Sequence, residues 1–235
     1  MKELTPAFNL TLIEKISSDI NNNYRDYTMS KLLKEYYTKH HNEGKRIGQA
    51  FSEKLRGELF AKWIGVGVVL DIGCRDCKLT KHFANNNILV GLDIDYDALV
   101  YCKKIGLSHI INADISYGLP FNDHIFDAVI CGEVLEHVVI PDIILSEIKR
   151  VLKKGGKFVG SVPTVYHLQN RLRVLRGKRL DNDPTHTQHF SYNYLLETLS
   201  KFFNVRETVA IEGQKWAKYS MRLFARHVAF VCSNE

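Results

Sequence analysis

An α/β fold with a mostly parallel, doubly wound sheet is predicted by three observations. The run Val68-Val-Leu-Asp-Ile72 is apolar enough for a strand buried on both faces, and it delivers an acid, Asp71, and a glycine, Gly73, to a segment that turns helical. A second apolar run, Ile88-Leu-Val-Gly-Leu-Asp93, ends in another acid about twenty positions on, the spacing and residue type that suit ribose hydroxyls. From Val66 to Val162, strand-like and helix-like periods alternate, as they do when a parallel sheet is built through helical crossovers.

Each element has its own signal. Ile47, Phe51, Leu55 and Leu59 recur every fourth position among Glu53, Lys54, Arg56, Glu58 and Lys62, which predicts an amphipathic helix ending near Trp63 and Gly65. Residues 1–65 are therefore expected to form a helical N-terminal cap over the sheet or the substrate mouth, and 66–235 the main domain. Strands are expected from Val66 to Ile72, from Ile88 to Asp93 and from His109 to Asn112, with helices from about Lys78 to Asn85 and from Tyr96 to Ile105 between them. Phe126 to Gly132 reads as a fourth strand. Ile144, Ile148, Val151 and Leu152 make one face of a helix opened by Pro141 and closed by Gly155-Gly156, and Lys157 to Val162 follows as a fifth strand.

Composition bounds the function. With 235 residues, 45% of them hydrophobic, the chain can bury one sizeable core plus an appendage. Glu3, Asn9, Glu14 and Lys15 interrupt the apolar residues of the N-terminus, which argues against a signal peptide or membrane span there and makes the cytoplasm the expected location. Five cysteines spread over predicted strands and helices read as free thiols in a reducing compartment. Cys74 and Cys77 have a C-x-x-C spacing, but no second pair completes a tetrahedral zinc site. A net charge of +6 suits an anionic ligand and does not require nucleic acid.

Five ordered motifs then carry a resemblance: Leu70-Asp-Ile-Gly-Cys; Gly91-Leu-Asp93; Ala113-Asp114 leading to Leu119-Pro-Phe; Phe126-Asp-Ala-Val-Ile-Cys-Gly-Glu-Val-Leu-Glu-His137; and Val151-Leu-Lys-Lys-Gly-Gly156. Together they resemble the class I S-adenosylmethionine-dependent methyltransferases of the type 11, small-molecule kind, over about Val66 to Val162. The resemblance implies a Rossmann-like sheet completed by Asn204–Ile211 and His227–Cys232, the last strand inserted antiparallel, and it implies S-adenosyl-L-methionine as cofactor. Carried over residue by residue, Asp71 and Gly73 serve the methionine end of the donor, with Cys74 and Arg75 in the same loop. Asp93 takes the ribose diol, with Ile94 beside it. Asp114 accepts from the adenine amino group near the Ile115 amide, and Gly132 faces the donor ammonium. Arg75 and Cys77 stand where the family commonly has glycine, which permits positive φ and close backbone approach. Arg75 is expected either to point to solvent or to fold over the donor carboxylate.

Glu133, Glu136 and His137 are spaced to share one face if a helix begins there, and Asp183-Pro-Thr-His-Thr-Gln-His189 places His186 and His189 in a later loop. The set resembles metal-dependent 2′-O-methyltransferases of RNA ends and, in Glu-x-x-Glu-His alone, ubiquinone-pathway O-methyltransferases. The main expectation is without metal: His137 or His186 as base, Glu133 positioning the acceptor, activity surviving chelation. An insertion at 164–190 interrupts the family core. Its stripe of Leu168, Leu172 and Leu175 lies beside Arg171, Arg173, Arg176, Lys178 and Arg179, read as a solvated helix face or as a lid steering an anionic acceptor. The expected function is methyl transfer, chiefly to oxygen of a small polar or anionic acceptor. The alternatives are a metal-assisted RNA-end or quinone-type O-methyltransferase, and a non-catalytic module binding a nucleoside or a protein.

Overall fold

A computed structural model describes residues 35–39, 49–84, 87–104, 107, 109–181 and 183–235. Seven strands form one sheet: β1 Val68–Ile72, β2 Ile88–Asp93, β3 His109–Asn112, β4 Phe126–Gly132, β5 Leu152–Pro163, β6 Asn204–Glu212 and β7 His227–Ser233. Their order is β3-β2-β1-β4-β5-β7-β6, with β1 to β5 parallel and β7 antiparallel between β5 and β6. The chain winds outward from β1 in one direction through β2 and β3, then restarts beside β1 with β4. That reversal opens a crevice at the carboxyl ends of β1 and β4, where doubly wound sheets bind their ligands. Every residue of β1 is buried, Asp71 included, as a central strand covered on both faces requires.

From residue 49 on, the described α-helices are α1 Glu53–Ile64, α2 Tyr96–Lys104, α3 Pro141–Val151, α4 Leu168–Leu175, α5 Tyr192–Ser200, α6 Gln214–Ala217 and α7 Met221–Phe224. On one sheet face, Ile144, Leu145 and Ile148 of α3 and Leu195 and Leu199 of α5 join Leu70, Val129 and Phe158 in the larger core. On the other, Phe60, Trp63 and Ile64 of α1 pack with Val69, Ala128, Ile130 and Val159. Burying a side chain such as Phe60 contributes about 1.5–3 kcal/mol, so α1 is a layer of the fold. Its first turn is also tied down by Glu53, which accepts from His82 Nε2 at 2.8 Å and pairs with Lys81 at 2.8 Å.

Several expectations change. The helix α1 begins at Glu53, and Ile47, with most of the expected 1–65 cap, lies outside the described residues. The helix expected over Lys78–Asn85 is only a 3-10 turn at Thr80–Phe83, because Thr80 is recruited to Asp71 and the chain descends into β2 within a few residues. Leu152 opens β5 in place of lying on the face of α3, and Gly155, at φ 77, turns inside that strand in place of closing the helix. Glu133 to His137 form no α-helix: Glu133 is left-handed at φ 61 and a single 3-10 turn covers Leu135–His137. Two of the cysteines are not free thiols, since Cys77 and Cys102 form a disulfide between the loop after β1 and α2. Sequence spacing does not show this pairing because the two residues meet only when α2 packs under that loop. Finally, α4 buries none of its residues, so its leucine stripe faces outward.

Candidate functional site

A cavity of about 950 Å³ opens at the crevice and is lined by the ends of β1, β2 and β4, by α1, by Asp183–Thr187 and by His227. The strand register decides what meets there. Asp71 pairs with Ile130 and Ile72 with Cys131, so the chain leaves β1 at Gly73 beside Gly132 leaving β4. Gly73 sits at φ 73, and a Cβ on it would lie 2.3 Å from Val134 Cγ2, so both conformation and space demand glycine. A Cβ on Gly132 would lie 2.5 Å from a terminal nitrogen of Arg56, so this glycine lets a guanidinium lie across the strand end.

The acids at this end are buried and held. Asp71 accepts from Thr80 Oγ1 at 2.5 Å. Burial pushes its carboxyl up to about 7, against the opposing pull of the Thr80 hydroxyl and the Arg56 charge. One oxygen of Asp93 accepts from the Arg75 amide and the other from the Asp95 amide, both at 2.8 Å, which fixes the carboxylate at the tip of β2. Asp114 accepts from the Ser116 amide through Oδ1, capping the 3-10 turn Ile115–Tyr117, while its buried Oδ2 has no hydrogen-bond partner. A buried carboxylate oxygen without a donor is costly, and in a cavity wall it is a ready acceptor for a ligand N–H. Cys74, Ile94 and Ile115 complete the wall. Arg75 is left-handed at φ 49; its guanidinium donates to the Gln49 carbonyl and lies 3.5 Å from Asp76, so it ties the loop to the segment before α1.

The opposite end gathers residues from distant segments. His137 Nδ1 lies 3.1 Å from the Thr185 carbonyl, and its ring meets His186 at 4.9 Å and Tyr37 at 5.9 Å. His186 Nδ1 bonds Asp181 at 2.6 Å. Glu136 is buried, its backbone carbonyl accepts from the Thr187 and Gln188 amides, and its Oε2 has no partner. Burial, then the nearby Glu133, pushes its carboxyl well above the usual range. Ligand atoms of Glu136, His137 and His186 lie within 4.8 Å of one another. Glu133 turns elsewhere, accepting from Ser161 Oγ at 2.7 Å and lying 3.5 Å from His227 Nε2. The expected shared face of Glu133, Glu136 and His137 is thus replaced by two separate groups. His189 is exposed and outside the cavity wall.

Three cavity residues carried no sequence signal. Arg56 reads as the polar face of an amphipathic helix, yet it is buried, with Nε unpartnered. His227 reads as the first residue of a strand. Tyr37 reaches the wall from the helical stretch at 35–39, and burial raises its phenol to about 12, so it is a neutral donor there.

Comparison with known proteins agrees with this geometry. The methyltransferase domain family model matches residues 70–160. A ubiquinone biosynthesis O-methyltransferase of Glaesserella parasuis is 34% identical over 98 residues, 37% of this chain and 42% of that protein. Among solved structures, a SAM-dependent methyltransferase from Archaeoglobus fulgidus superposes with TM-score 0.61 at 19% identity, covering 84% of this chain and 99% of that one. The cyclase SpnF superposes equally well, TM-score 0.61 at 19% identity over 79% of this chain and 84% of its own. The chain spans about half the length, or less, of the curated relatives it matches. At these identities the superpositions speak for the fold, and the matched motifs speak for the family. Residues 70–160 thus match the methyltransferase domain, within a fold that the chain shares with S-adenosylmethionine-dependent methyltransferases.

Proposed function

We propose that this protein transfers a methyl group from S-adenosyl-L-methionine to oxygen of a small polar or anionic acceptor. The observation that carries the reading is one cavity joining the unpartnered Asp114 carboxylate oxygen to the His137–His186 pair. The residues at the strand ends suit the cofactor: Asp114 has an unused acceptor that suits the adenine amino group, and Asp93, held by two backbone amides, suits the ribose diol. Arg56, buried across Gly132 with Nε unpartnered, suits the donor carboxylate, and Asp71 with Gly73 suits the rest of the methionine end. Cys74, Arg75 and Ile94 form the surrounding wall. When bound, the cofactor supplies an electrophilic methyl on a sulfonium, and the protein has to align an acceptor oxygen in line with it and take its proton. The two histidines suit that proton transfer, and Glu133, held by Ser161, suits acceptor positioning. The Glaesserella relative, named for O-methylation, supports oxygen as the attacking atom. In this reading α1, from the described part of the expected 1–65 cap, covers the sheet, and the 164–190 insertion borders the acceptor.

Calorimetry with S-adenosylhomocysteine, followed by a screen of acceptor pools for donor-dependent mass gain, tests the proposal. Binding without mass gain for any acceptor would favour a non-catalytic module, and no binding would sink both.

One observation favours a second reading, metal assistance of the same transfer. His137 Nδ1 and His186 Nδ1 are each held by an oxygen, the geometry that leaves Nε2 as a ligand, and Glu136 Oε2 is unpartnered beside them. The residue types suit a divalent ion with mixed nitrogen and oxygen ligands. Loss of turnover on chelation, restored by manganese or cobalt, would select this reading; turnover unaffected by chelator selects the histidines alone.

A further inference from the structure

We propose that the face formed by α4 and by the α6–α7 segment docks on an anionic lipid bilayer. Residues 164–180 contain Arg171, Arg173, Arg176, Lys178 and Arg179 and no carboxylate. Residues 213–226 contain Lys215, Lys218, Arg222 and Arg226 and no carboxylate. The net charge of the whole chain is +6, so outside these two stretches carboxylates outnumber cations and the molecule is polarised. The acids that bound the two stretches are turned away onto cavity histidines, Asp181 to His186 at 2.6 Å and Glu212 to His227 at 3.5 Å.

The two stretches adjoin in space. Thr164 N donates to the Arg226 carbonyl at 2.7 Å, Thr164 Oγ1 to the Ala225 carbonyl at 2.8 Å, and the Arg226 guanidinium to Gln169 Oε1 at 2.6 Å. Among their cations, Arg176, Lys178, Arg179, Lys215, Lys218 and Arg222 are exposed.

Charge alone would also suit a nucleic acid; the carbon exposed beside it decides between the two. Leu175 is 82% exposed, and Leu168, Leu172 and Val174 are exposed on the same short helix. Trp216 is 55% and Tyr219 70% exposed on the adjoining segment. Phosphates reward cations and bases reward aromatic rings, whereas several aliphatic side chains exposed along one helix gain most at an acyl boundary. An interfacial element places Leu and Trp at the acyl boundary while Lys and Arg meet anionic headgroups. The loop leaving α4 runs directly into Asp183–Thr187 of the cavity wall, so docking brings the cavity mouth to the lipid surface.

Co-sedimentation of the full-length protein with vesicles of phosphatidylcholine alone, or containing phosphatidylglycerol, tests this. We expect partition onto the anionic vesicles at least about tenfold above the neutral ones, weakening with salt. Two double variants at exposed positions, Leu172→Ser with Leu175→Ser and Arg176→Glu with Arg179→Glu, should each lower that partition by about fivefold or more while leaving S-adenosylhomocysteine binding intact. Equal partition onto both vesicle types would overturn the proposal. So would anionic binding that the leucine variant leaves unchanged, or retention of a short single-stranded RNA with no vesicle binding.

Discussion

The two ends of the cavity are built in different ways. At the end proposed for the donor, Asp71, Gly73, Asp93 and Asp114 stand at or just past the tips of consecutive parallel strands, and backbone amides hold the last two acids. Once the sheet forms, these groups have little choice of position. The end proposed for the acceptor draws Glu136 and His137 from one loop, His186 from another about fifty residues on, and His227 from the start of β7. Its geometry depends on side-chain contacts such as His137 to Thr185 and His186 to Asp181. A scaffold that fixes one ligand by backbone and the other by side chains can keep its donor while its acceptor changes.

That contrast predicts separable losses. The largest belongs to the acceptor end: His186→Ala should lower turnover by about a hundredfold or more, the usual scale for losing a general base, with S-adenosylhomocysteine affinity within about twofold of wild type. A matching loss of affinity would show that the two ends are not independent. Asp93→Ala and Asp114→Ala should do the converse, weakening S-adenosylhomocysteine by about 1–3 kcal/mol, roughly five- to 150-fold. Unchanged calorimetric affinity in either variant would remove that acid from the donor site.

A pH measurement sharpens the donor side. Asp71 is raised by burial from 3.8 to about 7, so the folded state holds its proton over a range in which the unfolded state has released it. Its contribution to stability is full below about pH 4 and is lost as pH rises through 7. The gain in unfolding free energy from Asp71→Asn relative to wild type should therefore be larger at pH 7.5 than at pH 4.5 in ligand-free protein. A difference independent of pH, measured by urea unfolding, would place Asp71 in its ordinary range.

The smallest effect is expected at Arg75. Replacement by glycine removes a left-handed non-glycine conformation, which costs on the order of 1 kcal/mol, and also the link to the Gln49 carbonyl. Because the Arg75 contact with Asp93 uses its backbone amide, Arg75→Gly should leave S-adenosylhomocysteine affinity within about twofold. A tenfold loss would mean that the guanidinium leaves Gln49 for the donor carboxylate.

The sheet and the placement of Asp71, Gly73, Asp93 and Asp114 at the crevice were legible because they follow from local pattern. Apolar runs specify buried strands, and an acid or glycine at the end of each run falls at the crevice whatever the rest of the chain does. The ends of β2, β3 and β4 in the structure are the ones expected from the sequence. The segment after β1 was less legible: its helix shrank to a 3-10 turn because a buried contact, Thr80 to Asp71, outweighed helical propensity.

By itself, then, the sequence determined the order of the strands, the family motifs and the acids at the strand ends, all set by neighbours within a few residues. Only the tertiary structure decided that Arg56 crosses Gly132, that Cys77 meets Cys102, that Glu133 parts from Glu136 to join Ser161, and that His227 enters the cavity wall. Each of those contacts joins residues from different elements, and no periodicity encodes it. It exists because packing both faces of the sheet brings side chains from distant segments into contact.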